Sequence, residues 1–272
     1  MDLSRLFDLE AHGPDTFVGI GPRYPWGGLY GGQIVAQGLR AAASTVDADL
    51  EVHSLRSYFI RRGDHTDPIR YEVDRIRNGR SFSTRRVIAR QAIGAILNLE
   101  ASFQRPEVSA DLQTITMAID VPDPGSLVSE TWTTSYDRRF VPPEWSSSLS
   151  GAGAGRTLAW MKVNAPVGDD QLLHRCWLAY LSDDLPTDTA AAATGIRGEG
   201  RFVASLDHTM WFHRPLRADQ WHLHDFTCHT FVGGRGLTIG HVFTADGVHV
   251  ATEAQEVLMR GPRDEQTAAH VS

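Results

Sequence analysis

Val52-His53-Ser54-Leu55-Arg56-Ser57-Tyr58-Phe59-Ile60-Arg61-Arg62 and Val203-Ala204-Ser205-Leu206-Asp207-His208-Thr209-Met210-Trp211-Phe212-His213-Arg214 are two versions of one strand-forming phrase, about 150 residues apart. Each phrase is followed by a turn, Asn78-Gly79-Arg80 or Gly233-Gly234-Arg235, and then by a strand-like run. A second turn comes at Gly94 or Gly247, and a last alternating strand closes each copy, Ala95 to Phe103 or Val248 to Val257. Upstream of each copy lies one long helix-like segment, Gln33 to Thr45 and Gln171 to Asp183. A helix followed by about four antiparallel strands, given twice, implies two copies of one α+β unit sharing a core. Chemistry is expected where the copies differ.

The 272 residues suit two fused half-domains. No apolar run approaches the roughly 20 residues of a spanning helix, and Met1-Asp2-Leu3-Ser4-Arg5 lacks the layout of a signal peptide. Cys176 and Cys228 occupy non-equivalent places without metal spacing, so a reducing cytoplasm is expected. The net charge of −7 argues against general nucleic-acid binding. Ten arginines nevertheless lie between Arg56 and Arg90, while Lys162 is the only lysine. Such a cluster either meets phosphates through forked hydrogen bonds or decorates the solvent face of strands.

Residues 1–10 read as a short amphipathic helix offering Leu3, Leu6, Phe7 and Leu9 for packing. Residues 1–105 form the first unit, with strands at 52–61, 69–76, 82–91 and 95–104 and a period-2 signal in Leu97, Leu99, Ala101 and Phe103. From 106 to 156 the composition shifts to Pro, Ser, Gly and acidic residues. An irregular linker is expected there, most flexible at 146–155, part of which is able to open the second unit. The second unit, 157–272, begins with a strand at 157–163. Next comes a helix capped by Asp169 and Asp170, with Leu172, Leu173, Cys176, Trp177, Tyr180 and Leu181 on its apolar face. Strands near 203–213, 220–230, 236–244 and 248–258 follow, and then a polar, frayed tail after Gly261. A long helix wrapped by a curved antiparallel sheet, in tandem, is the double hotdog arrangement.

The residues also resemble a known family. Tyr30-Gly31-Gly32-Gln33-Ile34-Val35-Ala36-Gln37, Val52-His53-Ser54-Leu55, Asn78-Gly79-Arg80-Ser81-Phe82-Ser83 and Ala101-Ser102-Phe103-Gln104 resemble the first half of the bacterial acyl-CoA thioesterase II family. Leu206-Asp207-His208-Thr209-Met210-Trp211-Phe212-His213-Arg214-Pro215 and Gln255-Glu256-Val257-Leu258-Met259-Arg260 resemble its second half. The resemblance spans nearly the whole chain and is weakest from Asp111 to Arg156. It implies hydrolysis of fatty acyl-CoA to free fatty acid and CoA, by a water held directly by a carboxylate, a hydroxyl and an amide. Carried over by motif, these are Asp183 of Tyr180-x-Ser182-Asp183, Ser205 two residues before Asp207-His208, and Gln255. The family's usual Thr is replaced by Ser205, and Asp184 is the neighbouring alternative carboxylate. Neither metal nor cofactor is implied.

Read from the repeat alone, the helix and strand alignments set Asp183 opposite Thr45, Gln255 opposite Ser102 and Ser205 opposite Ser54. The first copy then keeps hydroxyls but lacks the carboxylate and the amide, as expected if one copy serves catalysis and the other shape. Other candidates rank lower. No Gly-x-Ser-x-Gly elbow is present, neither cysteine has a base partner in sequence, and His208 and His213, five apart in a strand, face opposite ways. His222, His224 and His229 are no better as metal ligands. Gly31-Gly32 is either an anion-binding backbone or a tight turn. Tyr58, Phe59, Trp211 and Phe212 either line an acyl channel or are core. The rival functions are a hotdog enoyl-CoA hydratase and a non-catalytic acyl-CoA-binding protein. A homo-oligomer is expected from the sheet edges.

Overall fold

The computed structural model describes residues 3–147, 155–196 and 200–261. Within them the first unit contains β1 (Glu10–Ala11), β2 (Thr16–Gly19), α1 (Gly31–Ala43), β3 (Glu51–Phe59), β4 (Ile69–Asn78), β5 (Phe82–Gln91) and β6 (Gly94–Gln104). After a 3-10 turn at Pro124–Ser126 come β7 (Tyr136–Phe140) and α2 (Pro143–Ser147). The second unit runs through β8 (Arg156–Val163), α3 (Gln171–Leu181), α4 (Pro186–Thr194), β9 (Phe202–Ser205), β10 (Asp207–Phe212), β11 (His222–Val232), β12 (Arg235–Thr244) and β13 (His249–Arg260). All strands belong to one antiparallel sheet in the order β1-β2-β4-β5-β6-β3-β10-β13-β12-β11-β8-β7, with β9 pairing β13. This is a double hotdog: α1 packs against the first half of the sheet, α3 lies along α1, and the short α4 packs closest against β8, β9 and β11 to β13 of the second half.

The repeated phrase forms the seam. β3 and β10 pair antiparallel with Leu55 opposite Met210 and Ser57 opposite His208, so the two half-sheets become continuous. Alternation along β6 buries Leu97, Leu99, Ala101 and Phe103, as the period-2 pattern predicts. Gly94 and Gly247 adopt φ of 106° and 86°, a region that costs a side chain strain, which is why the hairpin turns carry glycine there.

α1 is buried nearly all round, its two glutamines included. Gln37 donates to the carbonyls of Leu6 and Ile20 and accepts from the Tyr71 hydroxyl, while Gln33 accepts from Tyr24. Every amide thus finds a partner inside an apolar shell. The C-terminal end of α3 lies against the N-terminal end of α1, and glycine permits the approach. A Cβ on Gly32 would stand 2.3 Å from the Tyr180 carbonyl oxygen and 2.5 Å from the Tyr30 ring.

Several expectations change. Residues 3–9 make turns rather than a helix, with Leu6 N–H donating to Leu3 O and Asp8 N–H to Arg5 O. So short a segment does not repay helix nucleation; Leu3 and Leu6 are nevertheless buried. The stretch 106–156 is not wholly irregular, because β7 extends the sheet beside β8. Of the apolar face expected on α3, Leu172 is partly buried against the core as predicted, and Leu173 is only partly buried. α4, unanticipated, begins on Pro186 and ends on Gly195 at φ 71°, an ordinary start and stop pair. The flexible linker expected at 146–155 falls largely on 148–154, and the frayed tail on 262–272, both outside the described residues.

Gly32→Ala is expected to push α1 and α3 apart and cost about 1–3 kcal/mol, the usual range for overpacking. Urea unfolding of the variant measures it; an unchanged midpoint would show that the helices yield without strain.

Candidate active site

Asp183, Ser205 and Gln255, distant in sequence, converge where the two helices meet. Asp183 Oδ1 accepts hydrogen bonds from Ser205 Oγ at 2.9 Å and from Gln255 Nε2 at 2.8 Å. The same amide nitrogen lies 2.8 Å from Ser205 Oγ, closing a triangle. Asp183 Oδ2 accepts from the Gly32 backbone N–H at 2.9 Å. That donor belongs to the first turn of α1, so the carboxylate also meets the positive end of a helix dipole.

The backbone explains each placement. α3 ends at Leu181, the N–H of its capping residue Ser182 still donates to Leu178 O, and Asp183 is carried just beyond the last turn. Gln255 sits mid-strand on β13, on the inward face shared with Val257. Ser205 depends on a kink. His208, Met210 and Phe212 face inward along β10, and strict alternation backward would turn Ser205 out. The strand breaks between β9 and β10 instead. Leu206 donates its N–H to Glu256 O, and Asp207 Oδ1 accepts the Glu256 N–H at 2.7 Å. The break re-aims Ser205 toward Asp183, the usual result of strand irregularity beside a functional site.

Burial dominates the electrostatics. Asp183 is 7% exposed, and desolvation lifts its pKa to about 6, against the opposing pull of the bonds from Gln255, Ser205 and Gly32. The adjacent Asp184 adds a smaller upward push. Asp184 turns the other way, paired with Arg138 and accepting from Trp132 Nε1 at 3.2 Å and the Tyr136 hydroxyl at 3.3 Å. Within the Asp-Asp pair, therefore, Asp183 joins the triangle and Asp184 ties the 106–156 stretch to the site.

Gly31 and Gly32 serve close approach. A Cβ on Gly31 would lie 2.5 Å from Asp183 Oδ2, and the Gly32 N–H is committed to Asp183 rather than left for a bound anion. The four aromatic residues do not form one strip. Phe59 lies against Gly31 and Phe212 is buried, whereas Tyr58 is exposed and Trp211 lies under Arg56 on the outer face.

The first-copy counterparts do not assemble. Thr45 donates to Ala42 O and accepts from the buried Arg85, while Ser102 bonds His53 on the outer face, where it pairs with Ser54. Since Gln255 faces inward, the alignment of Gln255 with Ser102 is off by one residue, and the face of the strand exposes the slip. Cys176 is an inert thiol, pushed up to about 12 by burial. His208 is buried and His213 exposed, on opposite faces as expected. Of the ten clustered arginines, Arg70, Arg75, Arg86 and Arg90 are paired with carboxylates. Arg61 and Arg62 bond the carbonyls of Ala95 and Trp26 instead.

Sequence reasoning missed the ring of support around the site. Tyr24, Trp26, Tyr30, Trp132 and Tyr180 pack edge to face or stacked, with Trp26 5.1 Å from Trp132 and Tyr30 4.9 Å from Tyr180. Trp132 and Arg138 come from the linker-like 106–156 stretch, and no spacing links them to Asp184. Nor does any spacing link His208 to Gln255, whose Oε1 lies 2.5 Å from its Nδ1.

Comparison with known proteins places these observations in a family. Residues 21–104 match the family described as acyl-CoA thioesterase N-terminal domain, and residues 110–259 that described as acyl-CoA thioesterase C-terminal domain. The chain is 35% identical to acyl-coenzyme A thioesterase 8 of Homo sapiens, covering 95% of this chain and 88% of that protein. It is 33% identical to acyl-CoA thioesterase 2 of Haemophilus influenzae, covering 96% and 95%. The crystal structure of acyl-CoA thioesterase II TesB2 from Mycobacterium marinum superposes with a TM-score of 0.87 at 36% identity, over 98% of this chain and all of that one.

The ion pair beside the site makes a prediction of definite sign. Arg138→Met leaves the Asp184 charge uncompensated, which favours the protonated form of Asp183 and raises its pKa above about 6. Carbon-13 titration of the carboxyl groups tests this; an unmoved or lowered Asp183 pKa would contradict it.

Proposed function

This chain belongs to the acyl-CoA thioesterase II family, and we propose that it hydrolyses fatty acyl-CoA to free fatty acid and CoA through a water held by Asp183, Ser205 and Gln255. The observation that carries the reading is the triangle of hydrogen bonds joining those three side chains around one buried carboxylate. A carboxyl with a pKa near 6 is ionised at neutral pH yet basic enough to take a proton.

In this mechanism the water seats against Asp183 and Ser205. As its oxygen bonds to the thioester carbon, its proton passes to Asp183. The tetrahedral intermediate collapses with cleavage of the carbon–sulfur bond, and the proton on Asp183 serves the departing thiolate, giving the acid and CoA. Gln255 and Ser205 hold the water and the carboxylate in line, a positioning contribution. Phe59 borders the site on the apolar side. The CoA phosphates are assigned to Arg61 and Arg62, whose guanidinium groups bond backbone carbonyls rather than carboxylates.

We further infer a reducing cytoplasmic setting, in keeping with two free cysteines. A homo-oligomer fits the exposed apolar side chains of Val108, Leu112 and Ile119.

Incubation with palmitoyl-CoA and a thiol reagent tests the activity. Release of free CoA is expected; binding without release, or loss of enoyl absorbance on enoyl-CoA, would replace the reading. Asp183→Asn is expected to lower kcat by about 10²–10⁴-fold, the usual cost of losing a general base. If Asp184→Asn had that effect instead, the carboxylate would be misassigned. Ser205→Thr keeps the hydroxyl and should retain turnover, whereas Ser205→Ala should slow it. Because the base must be ionised, kcat/KM is expected to rise with pH through about 6. A flat profile from pH 5 to 8 would remove Asp183 as the base.

A further inference from the structure

The triangle has a second tier, built on His208. This ring is fully buried, between Gln255 on one side and the end of α3 on the other. Its Nδ1 lies 2.5 Å from Gln255 Oε1, and its Nε2 lies 2.8 Å from Ser182 Oγ. Ser182 Oγ is also 2.9 Å from the Ala179 carbonyl oxygen and 3.3 Å from Met210 Sδ. These contacts form a chain from the last turn of α3 through Ser182, His208 and Gln255 back to Asp183, the residue after Ser182.

Counting protons along the chain leaves two arrangements. In one, His208 carries its proton on Nδ1 and donates to Gln255 Oε1, so the Gln255 amide nitrogen faces Asp183 and Ser205. Nε2 is then an acceptor, and the Ser182 hydroxyl donates to it. In the other, the proton sits on Nε2 and is donated to Ser182, which donates to Ala179 O. Nδ1 then needs a donor, so the Gln255 amide must turn over. Turning it over puts Oε1 against Asp183 Oδ1, at the 2.8 Å now separating nitrogen from oxygen. Two acceptors at that distance, one of them an ionised carboxylate in a buried site, repel strongly. With Asp183 ionised, the first arrangement is favoured.

We propose that His208, as its Nδ1–H tautomer, is the positioning residue that fixes the orientation of the Gln255 amide and so presents its nitrogen to Asp183 and the attacking water. This rests on the thioesterase reading above, since it assigns a role to a residue acting through Gln255. Burial supports it further: desolvation lowers the His208 pKa to about 4, so the ring stays neutral at working pH and has a single proton to place. An apolar side chain at 208 would leave Gln255 Oε1 buried without a donor, and the amide free to rotate. Ser182 contributes from the sequence position next to the base, tying amide orientation to the end of the helix that carries Asp183.

The test combines a double-mutant cycle with a spectrum. His208→Leu is expected to lower kcat about 10–100-fold, the scale of losing orientation around a reacting centre, with KM little changed. His208→Asn, whose amide nitrogen approximates Nδ1, should recover much of the loss. In a Gln255→Ala background His208→Leu should have no further effect, because its partner is already gone. In the unmodified enzyme near pH 8, nitrogen-15 NMR of the ring should show Nδ1 protonated and Nε2 bare, a readout that does not depend on whether the variants fold. An Nε2–H tautomer, or additive losses in the cycle, would overturn the inference while leaving the thioesterase reading intact. Gln255→Ala with full activity would overturn both.

Discussion

One buried carboxylate constrains the whole molecule. Holding Asp183 ionised at 7% exposure is costly unless donors surround it, and its donors come from three distant places: the first turn of α1, the end of β9 and the middle of β13. Gly32 belongs to one half of the chain and Asp183 to the other, so the donor set is complete only when the two units are joined. The β3–β10 seam joins the sheets, the contact between α1 and α3 joins the helices, and the glycines at 31 and 32 set the separation at which N–H and carboxylate meet.

The same constraint explains why the two copies diverge. A break between β9 and β10 turns Ser205 inward, while Ser54 in the first copy stays on the outer face beside Ser102. At the far end of α1, Thr45 is claimed by Arg85, which also bonds the Thr45 carbonyl and Asn78 Oδ1. A buried guanidinium with that many partners stabilises the fold and leaves no basic group for water. The first unit thus contributes the helix N-terminus and the aromatic packing, and the second contributes the carboxylate, hydroxyl and amide.

Much of this was legible in the sequence, because repeats and alternation are local signals. Both long helices and the principal strands lie within a few residues of where periodicity places them, and the motif residues Asp183, Ser205 and Gln255 do meet. What stayed hidden was set by contacts between distant segments. The kink that re-aims Ser205 depends on Asp207 capping Glu256, and the strand face that separates Gln255 from Ser102 depends on register; neither has a signature in a gapless alignment. Arg138 and Trp132 reach Asp184 from a stretch whose Pro, Ser and Gly content suggested only a linker. The arginine cluster was ambiguous for a related reason: charge on a strand face looks the same whether a carboxylate on the next strand neutralises it or a ligand does.

The central claim is that water, not an enzyme side chain, attacks the thioester. A single turnover with enzyme in excess, run in oxygen-18 water and quenched at intervals, tests it most directly, with mass analysis of the acid and of the peptides bearing Asp183 and Ser205. The account predicts one heavy oxygen in each released fatty acid, unlabelled Asp183 and no acylated peptide at any time. An acyl group on Ser205, or heavy oxygen in the Asp183 carboxyl, would contradict it.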